Sequence, residues 1–285
     1  MTQILVPQSK FVALLLSIPR KKTQKTAWRI STDLHYVSFR AGMGKEGLHR
    51  EPFALPWGIF PRRLLLYLCN EYSKTSFRKI PLGKDKSGLL HAIGYSAQGY
   101  DYARLITQFD SLKHLSYHYH SPCEVSPVWL DHINQSIKKN KPFEDRELFT
   151  HIELWESNAA HVVLDIEGSP FVDFEVVKSF GSNLMKLDFY VFLADRLHRL
   201  PPRKKEFLSW LFLTKLFATN EIPDHQLKEQ VRKFKNKFTK DKTLKDGTIK
   251  KSPFNAVLEA YPTAKVKLTK EGLILQCSPA PVSLR

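Results

Sequence analysis

The sequence predicts an α+β chain of two helical modules in tandem, each closed by a β-hairpin. Three observations carry this. Apolar residues recur at helical spacing in two separate stretches, around residues 62–114 and 187–261. Each stretch is followed by segments rich in sheet-forming residues. Prolines and glycines fall between these segments, where helices start or stop.

Taken in order, residues 1–50 are mixed. A short apolar run, Phe11–Ile18, precedes the basic cluster Arg20, Lys21, Lys22 and Lys25 and a link containing Gly42, Gly44 and Gly47. This segment reads as an arm or as a dimerisation segment, the second implying a homodimer. Ordered signals begin at Leu55-Pro56-Trp57-Gly58. Pro61 suits the first turn of a helix, and Leu64, Tyr67, Leu68 and Tyr72 keep helical spacing to about Lys74. Ile80-Pro81-Leu82-Gly83 breaks it. A short helix from Ser87 to Ile93 ends at Gly94. After the turn Tyr95–Gly99 comes a helix over Tyr100 to His114, with Tyr102, Leu105, Phe109 and Leu112 as its apolar stripe. Its opposite stripe, Tyr100, Arg104, Thr107, Gln108 and Ser111, is polar and weakly charged. Leu115–His120 is strand-like, and Leu148–Trp155 with His161–Ile166 could close a wing. This is the element order of a winged helix-turn-helix, placed over residues 51–178.

Residues 179–285 repeat the plan in element order. Leu187, Tyr190, Val191, Ala194 and Leu197 form a helical stripe ending before Pro201-Pro202, and Phe207–Phe217 is apolar on nearly every side, as in a buried helix. From Asp224, a residue suited to an N-cap, the stripe Leu227, Val231, Phe234 and Phe238 leaves a face of Lys228, Arg232, Lys233, Lys235 and Lys237. A lysine-rich stretch follows, then a helix over Phe254–Tyr261 stopped by Pro262. In Lys265–Cys277, Val266 and Leu268 alternate with Lys265, Lys267 and Thr269, and Gly272 falls in the turn of a hairpin that also carries Lys270.

The 285 residues carry 44 Lys+Arg against 28 Asp+Glu, a formal charge of +16. Such a surplus repels itself unless a polyanion is present, so double-stranded DNA leads as partner and an anionic membrane comes second. Solubility alone would spread the charge, whereas here it clusters. The run Phe11–Ile18 falls short of the about 20 residues needed to span a bilayer. Three scattered cysteines, Cys69, Cys123 and Cys277, form neither a disulfide framework nor a zinc finger. Cys69 falls in an apolar helix pattern, as a core residue. No membrane association and a cytoplasmic location are expected.

The cationic face of the Asp224 helix continues through Lys240, Lys242, Lys245, Lys250 and Lys251, opposed only by Asp241 and Asp246. Phosphate contact by such a face gains affinity through counterion release. A solvated helix face is the plainer alternative. On the helix from Tyr100, Arg104 suits guanine and Gln108 adenine, with Thr107 and Tyr100 beside them. His118-Tyr119-His120 puts two histidines on one strand face with Cys123 near in sequence, a pattern also found in metal-dependent nicking endonucleases. That chemistry needs a third ligand and a tyrosine nucleophile; Tyr190 is the one candidate, and its neighbours Phe189 and Phe192 suggest core. Asp165/Glu167 and Asp173/Glu175 lack a third partner for Mg²⁺. No phosphate-binding glycine loop and no serine elbow occur. The expectation is a protein with no active site and no cofactor.

At this point the pieces resemble a family. Leu55–Leu68, LPWGIFPRRLLLYL, resembles the LPYG-IPR-LLL opening of the plasmid-encoded RepA family of replication initiators. Leu187–Leu200, LDFYVFLADRLHRL, is similar to that family's apolar helix closing in RLHRL. The tail, from Ala260-Tyr261-Pro262 through Leu275 to Ser278-Pro279-Ala280-Pro281, resembles its YP-A-V-T-GL-L-SP-P ending. The resemblance spans about residues 50–282. It implies two winged-helix domains that bind repeated sequences (iterons) at a plasmid origin, help open the duplex, and recruit host initiator and helicase proteins. It also implies that Arg232–Phe238 lies on the second recognition helix and Tyr100–Ser111 on the first. Lys240–Ser252 stands as an apparent insertion, which leaves the end of that helix open. A winged-helix transcriptional repressor is the first alternative reading, and a nicking endonuclease the second.

Overall fold

A computed structural model describes residues 9–31, 36–43, 51–75, 79–82, 85–120, 146–147, 149–153, 161–164, 172–217 and 223–282. The chain is α+β and divides into two compact units near residue 170.

The first unit, residues 7–169, begins with α1 (Lys10–Ser17), in which every residue from Phe11 to Ser17 is buried. The Ser9 hydroxyl caps it by accepting the Val12 amide. Strand β1 (Ala27–Ser31) pairs with β2 (Tyr36–Ala41), β2 with β4 (Leu115–His120), and β4 with β5 (Arg146–Glu147), all antiparallel. The described part of the first 50 residues is therefore core and sheet of this unit, not a separate arm. A helix apolar on all sides is stable only when surrounded.

Three helices follow: α2 (Ile59–Thr75), α3 (Lys86–Ala92) and α4 (Gly99–Lys113). Between α2 and α3 lies β3 (Lys79–Pro81), which pairs with β7 (His161–Leu164), and β7 pairs with β6 (Phe149–Glu153). The wing strands read from the sequence thus meet β3, while Leu115–His120 belongs to the other sheet.

The fully buried Arg62 organises the N-terminal side of this unit. Its guanidinium donates to the carbonyls of Gly58 at 2.8 Å and Ile18 at 2.7 Å, so α2 holds the end of α1. Gly58, at φ 77°, donates its amide to the Pro19 carbonyl at 2.8 Å. A positive φ here favours glycine.

The second unit starts with α5 (Phe174–Ser179), not at residue 179. Phe174 and Val177 of α5 are buried, Phe180 meets Tyr190 edge-on, and the Asp173 amide donates to the Tyr190 hydroxyl at 3.0 Å. Next come α6 (Leu184–Arg199), β8 (Lys205–Ser209), α7 (Trp210–Leu216) and α8 (Asp224–Thr239). A short ribbon, β9 (Lys242–Thr243) and β10 (Ile249–Lys250), precedes α9 (Pro253–Ala260), and β11 (Val266–Leu268) with β12 (Gly272–Gln276) completes the unit.

Phe207–Phe217 is not one helix. Its first part is strand β8, where Phe207 pairs with Ile274 and Leu208 with Leu273. Burial there alternates, with Leu208 1% exposed and Phe207 38%, which is the period of a strand. The Ser209 hydroxyl then caps α7 by accepting the Phe212 amide. Asp224 is the first residue of α8 and Pro223 its N-cap, so the expected aspartate cap does not occur. Gly272 opens β12 beside β8: a Cβ there would lie 2.0 Å from the Leu208 carbonyl oxygen, so close strand approach requires glycine.

Phe189, Phe217, Phe238 and Phe254 form an aromatic core with Trp210. Inside the same unit, the buried Arg196 of α6 grips Glu206 of β8 with both ends of its fork; Nε donates to Oε2 at 2.7 Å and Nη2 to Oε1. The two units share part of a plan. In each, a helix is followed by a strand, two more helices and, later, a strand pair; β4 and β5 intervene in the first unit, and the β9–β10 ribbon and α9 in the second. In each, the early strand joins the last strand of that pair, giving the orders β3-β7-β6 and β8-β12-β11.

Candidate nucleic-acid interface

In the second unit α8 lies on the core by Phe238, which is 1% exposed, with Phe234, Phe238 and Phe217 stacked on one another. That anchorage turns Lys228, Arg232, Lys233 and Lys237 outward, all exposed. Glu229 sits among them. Arg232 donates to both its oxygens at 2.8 Å, and Lys233 lies 3.6 Å away. The Arg232 hydrogen bonds pull the Glu229 carboxyl down to about 2, so it stays ionised.

Lys235 is placed differently. It is half-buried, its ammonium lies 5.5 Å from the centre of the Trp210 ring, and it donates to the Lys270 carbonyl at 2.7 Å. The Trp210 indole donates to the same carbonyl at 3.0 Å. These two donors bolt the tip of the β11–β12 hairpin to α7 and α8. Lys235 is thus a bracket of the surface and not one of its free cations, contrary to its place among the expected contacts. Lys265, Lys267 and Lys270 are exposed along that hairpin. Helix face and hairpin tip are therefore one cationic surface held in fixed register.

Helix α8 ends at Thr239, with Lys240 as its C-cap. The lysine-rich insertion is the β9–β10 ribbon, carrying Lys240, Lys242, Lys245, Lys250 and Lys251, all exposed. Lys251 pairs with Glu259 at 2.5 Å.

In the first unit the polar stripe of α4 is mostly spent internally. Gln108 is 1% exposed and its side-chain oxygen accepts the Trp57 amide at 3.0 Å, so it cannot reach a base edge. Ser111 is buried and donates to the Thr107 carbonyl. The Arg104 guanidinium lies 5.8, 5.3 and 5.7 Å from the ring centres of Trp57, Phe60 and Tyr95, half-buried among them. Tyr100, 72% exposed, and Thr107 remain outside, with the Thr107 hydroxyl donating to Ala103. The outward stripe is Tyr100, Ala103, Ile106, Thr107 and Lys113, about one position off the expected one. The reason is that Gln108 and Ser111 close contacts inside the unit, which spacing alone does not reveal.

Cys123, Asp165 and Glu167 lie outside the described residues. Among the described residues no three His, Cys, Asp or Glu gather as a metal site would require, and no helix is long and apolar enough to cross a membrane. Tyr190, the tyrosine considered for nicking, is fully buried in the second unit, and desolvation drives its hydroxyl well above the ordinary phenol range.

No protein-family model and no curated protein matches the chain. Among solved structures, the crystal structure of selenomethionine derivatives of domains 2 and 3 of RctB matches at a TM-score of 0.51 and 11% identity, covering 96% of this chain and 99% of that one. A second RctB domains 2–3 structure matches at a TM-score of 0.48 and 12% identity, over 93% and 97%. The chain has the fold of RctB domains 2 and 3.

Proposed function

We propose that this chain is a replication initiator that binds double-stranded DNA through two winged-helix modules, with no active site of its own. The observation that carries the reading is the surface of the second unit. There a helix with an outward lysine and arginine face is locked, through the Lys270 carbonyl, to a hairpin bearing three more lysines. A helix sized for the major groove beside a basic hairpin is how winged modules hold a duplex. The repeated strand order of the two units supports a tandem pair. The fold shared with domains 2 and 3 of RctB, a replication initiator, supports the biological setting.

On this reading the second module supplies most of the affinity by phosphate contact, and the first adds Tyr100, Thr107 and Lys113 at a neighbouring groove. Iterons beside its own gene on a plasmid are the proposed target, in the cytoplasm. Opening follows from strain and assembly on the repeats, and host initiator and helicase proteins are recruited there.

The test uses a plasmid carrying only this gene and its upstream DNA as replicon. Autonomous replication, lost when Lys228, Arg232, Lys233 and Lys237 are changed to Ala, is the expected result. Binding to that DNA without replication would make the chain a repressor instead. In vitro, 6–10 phosphate contacts imply a loss of about 10³–10⁵ in affinity between 50 and 200 mM salt. A flat profile would reject phosphate-dominated binding.

A further inference from the structure

Between α8 and α9 the chain makes a ribbon that buries nothing of its own. Every residue from Lys240 to Lys251 is exposed, Ile249 by 63%. An isolated two-stranded hairpin is marginal in water, and this one adds a penalty: Lys242 and Lys250 are direct cross-strand partners. Like charges placed opposite one another destabilise a strand pair.

Both acidic residues of the ribbon are spent on its shape. The Asp241 carboxylate accepts the Ser252 amide and the Asn255 side-chain amide, each at 2.8 Å, which clamps the base of the ribbon to the start of α9. Asp246 accepts the Thr248 amide at 2.9 Å and sets the turn, where Gly247 takes φ 81°. Lys251 has Glu259. Among the described residues, Lys240, Lys242, Lys245 and Lys250 face no carboxylate. The fold thus spends its local anions on holding a basic finger in shape, and leaves the finger's own charge uncompensated.

From these observations we infer that the β9–β10 ribbon is a second DNA-contacting finger, which grips the phosphate backbone beyond the groove occupied by α8. The inference rests on the duplex binding proposed above. The occupant is a polyanion with regularly spaced charges, because the four lysines lie along the ribbon and do not converge on one point. At about 3.3 Å per residue the finger reaches roughly 15 Å from its base, more than the about 12 Å width of a major groove. Its contacts are to phosphate and so carry no sequence information. The ribbon therefore sets affinity and footprint length, while α8 and the β11–β12 hairpin set register.

The test measures the affinity of the full chain for a random 30-base-pair duplex and for DNA from beside its gene, as a function of salt. Three proteins are compared: the unaltered chain, the ribbon triple variant K242Q/K245Q/K250Q, and the control K21Q/K22Q/K25Q of equal charge loss. Each phosphate contact contributes about 0.9 to the slope of log K against log salt. The ribbon variant is expected to lose about 2–3 of slope on both DNAs, with the ratio between them unchanged. The control should lose less than 1. A chain with residues 242–250 replaced by Gly-Gly, whose ends the Asp241 clamp keeps together, should repeat the ribbon result. An unchanged slope in the ribbon variants, or an equal loss in the control, overturns the finger. Failure of the unaltered chain to bind either duplex would instead overturn the function itself.

Discussion

Gln108 illustrates how a side chain suited to reading adenine can be consumed by its own fold. Its oxygen holds the Trp57 amide, just ahead of α2, against α4, so Gln108→Ala leaves a half-buried donor unsatisfied. The expected cost is about 1–3 kcal/mol in urea denaturation, with no change in DNA sequence preference. Loss of discrimination without loss of stability would contradict this placement. The Arg196–Glu206 pair makes a stronger case. Glu206→Ala takes the carboxylate away from a buried guanidinium and should destabilise the second unit by about 3–5 kcal/mol. Both residues illuminate the family resemblance. The arginine opening RLHRL grips Glu206, Trp57 and Gly58 of LPWG tie α4 and the end of α1, and the Tyr261 hydroxyl of the YP block donates to the Pro279 carbonyl. The residues that resemble initiators are those that build the scaffold. The positions proposed to face DNA carry no such signature, which is why the sequence located the second unit's cationic face by charge and misjudged the first unit's polar one.

Among the elements, α8 was legible because its apolar stripe is widely spaced and every other position is polar or basic. Its cap was not, since Pro223 and Asp224 both suit a helix start and only backbone geometry separates them. Strand β8 was hidden because FLSWLFLTKLF joins a two-residue period to a helix with only Ser209, the α7 cap, between them. The coupling of α8 to the hairpin depends on Lys235, so Lys235→Met should keep the stack on Trp210 while releasing the hairpin tip from α8, the Trp210 indole still holding it to α7. Faster amide exchange at Thr269–Glu271 and about tenfold weaker duplex binding are expected, more than the loss of one exposed charge would give. Glu229 works in the opposite direction. Its value near 2 lies below the ordinary carboxylate range, so its stabilising pair with Arg232 is complete above about pH 4.5 and is lost only as pH falls toward 2. Throughout neutral pH it stays an anion beneath the proposed phosphate path. Glu229→Gln should tighten duplex binding about threefold or more, and equally at pH 6 and 8. Weaker binding would mean that Glu229 orients Arg232 for contact and does not hold it back.

At the scale of the whole molecule, composition gives the cationic balance on which the proposed polyanion partner rests, and element order suggested two units, as the chain divides; both follow from quantities that a sequence carries directly. The division near residue 170, the four-stranded sheet built from the N-terminal segment, and the clamped ribbon depend on long-range pairing, which it does not. What the two units have in common is strand order, and what sets them apart is charge: the outward face of α4 is nearly neutral, that of α8 strongly cationic. An unequal pair of this kind should bind with one dominant module. Separate neutralisation is expected to cost the salt slope about three units or more through Lys228, Arg232, Lys233 and Lys237, and less than one through Lys113. The most direct test of the central claim is quantitative footprinting of the full chain on the DNA beside its own gene, with and without those four α8 side chains. The account predicts regularly spaced protected tracts that disappear in the α8 variant at matched concentration. Protection that is uniform along the fragment, or that survives the loss of the α8 cations, would contradict it.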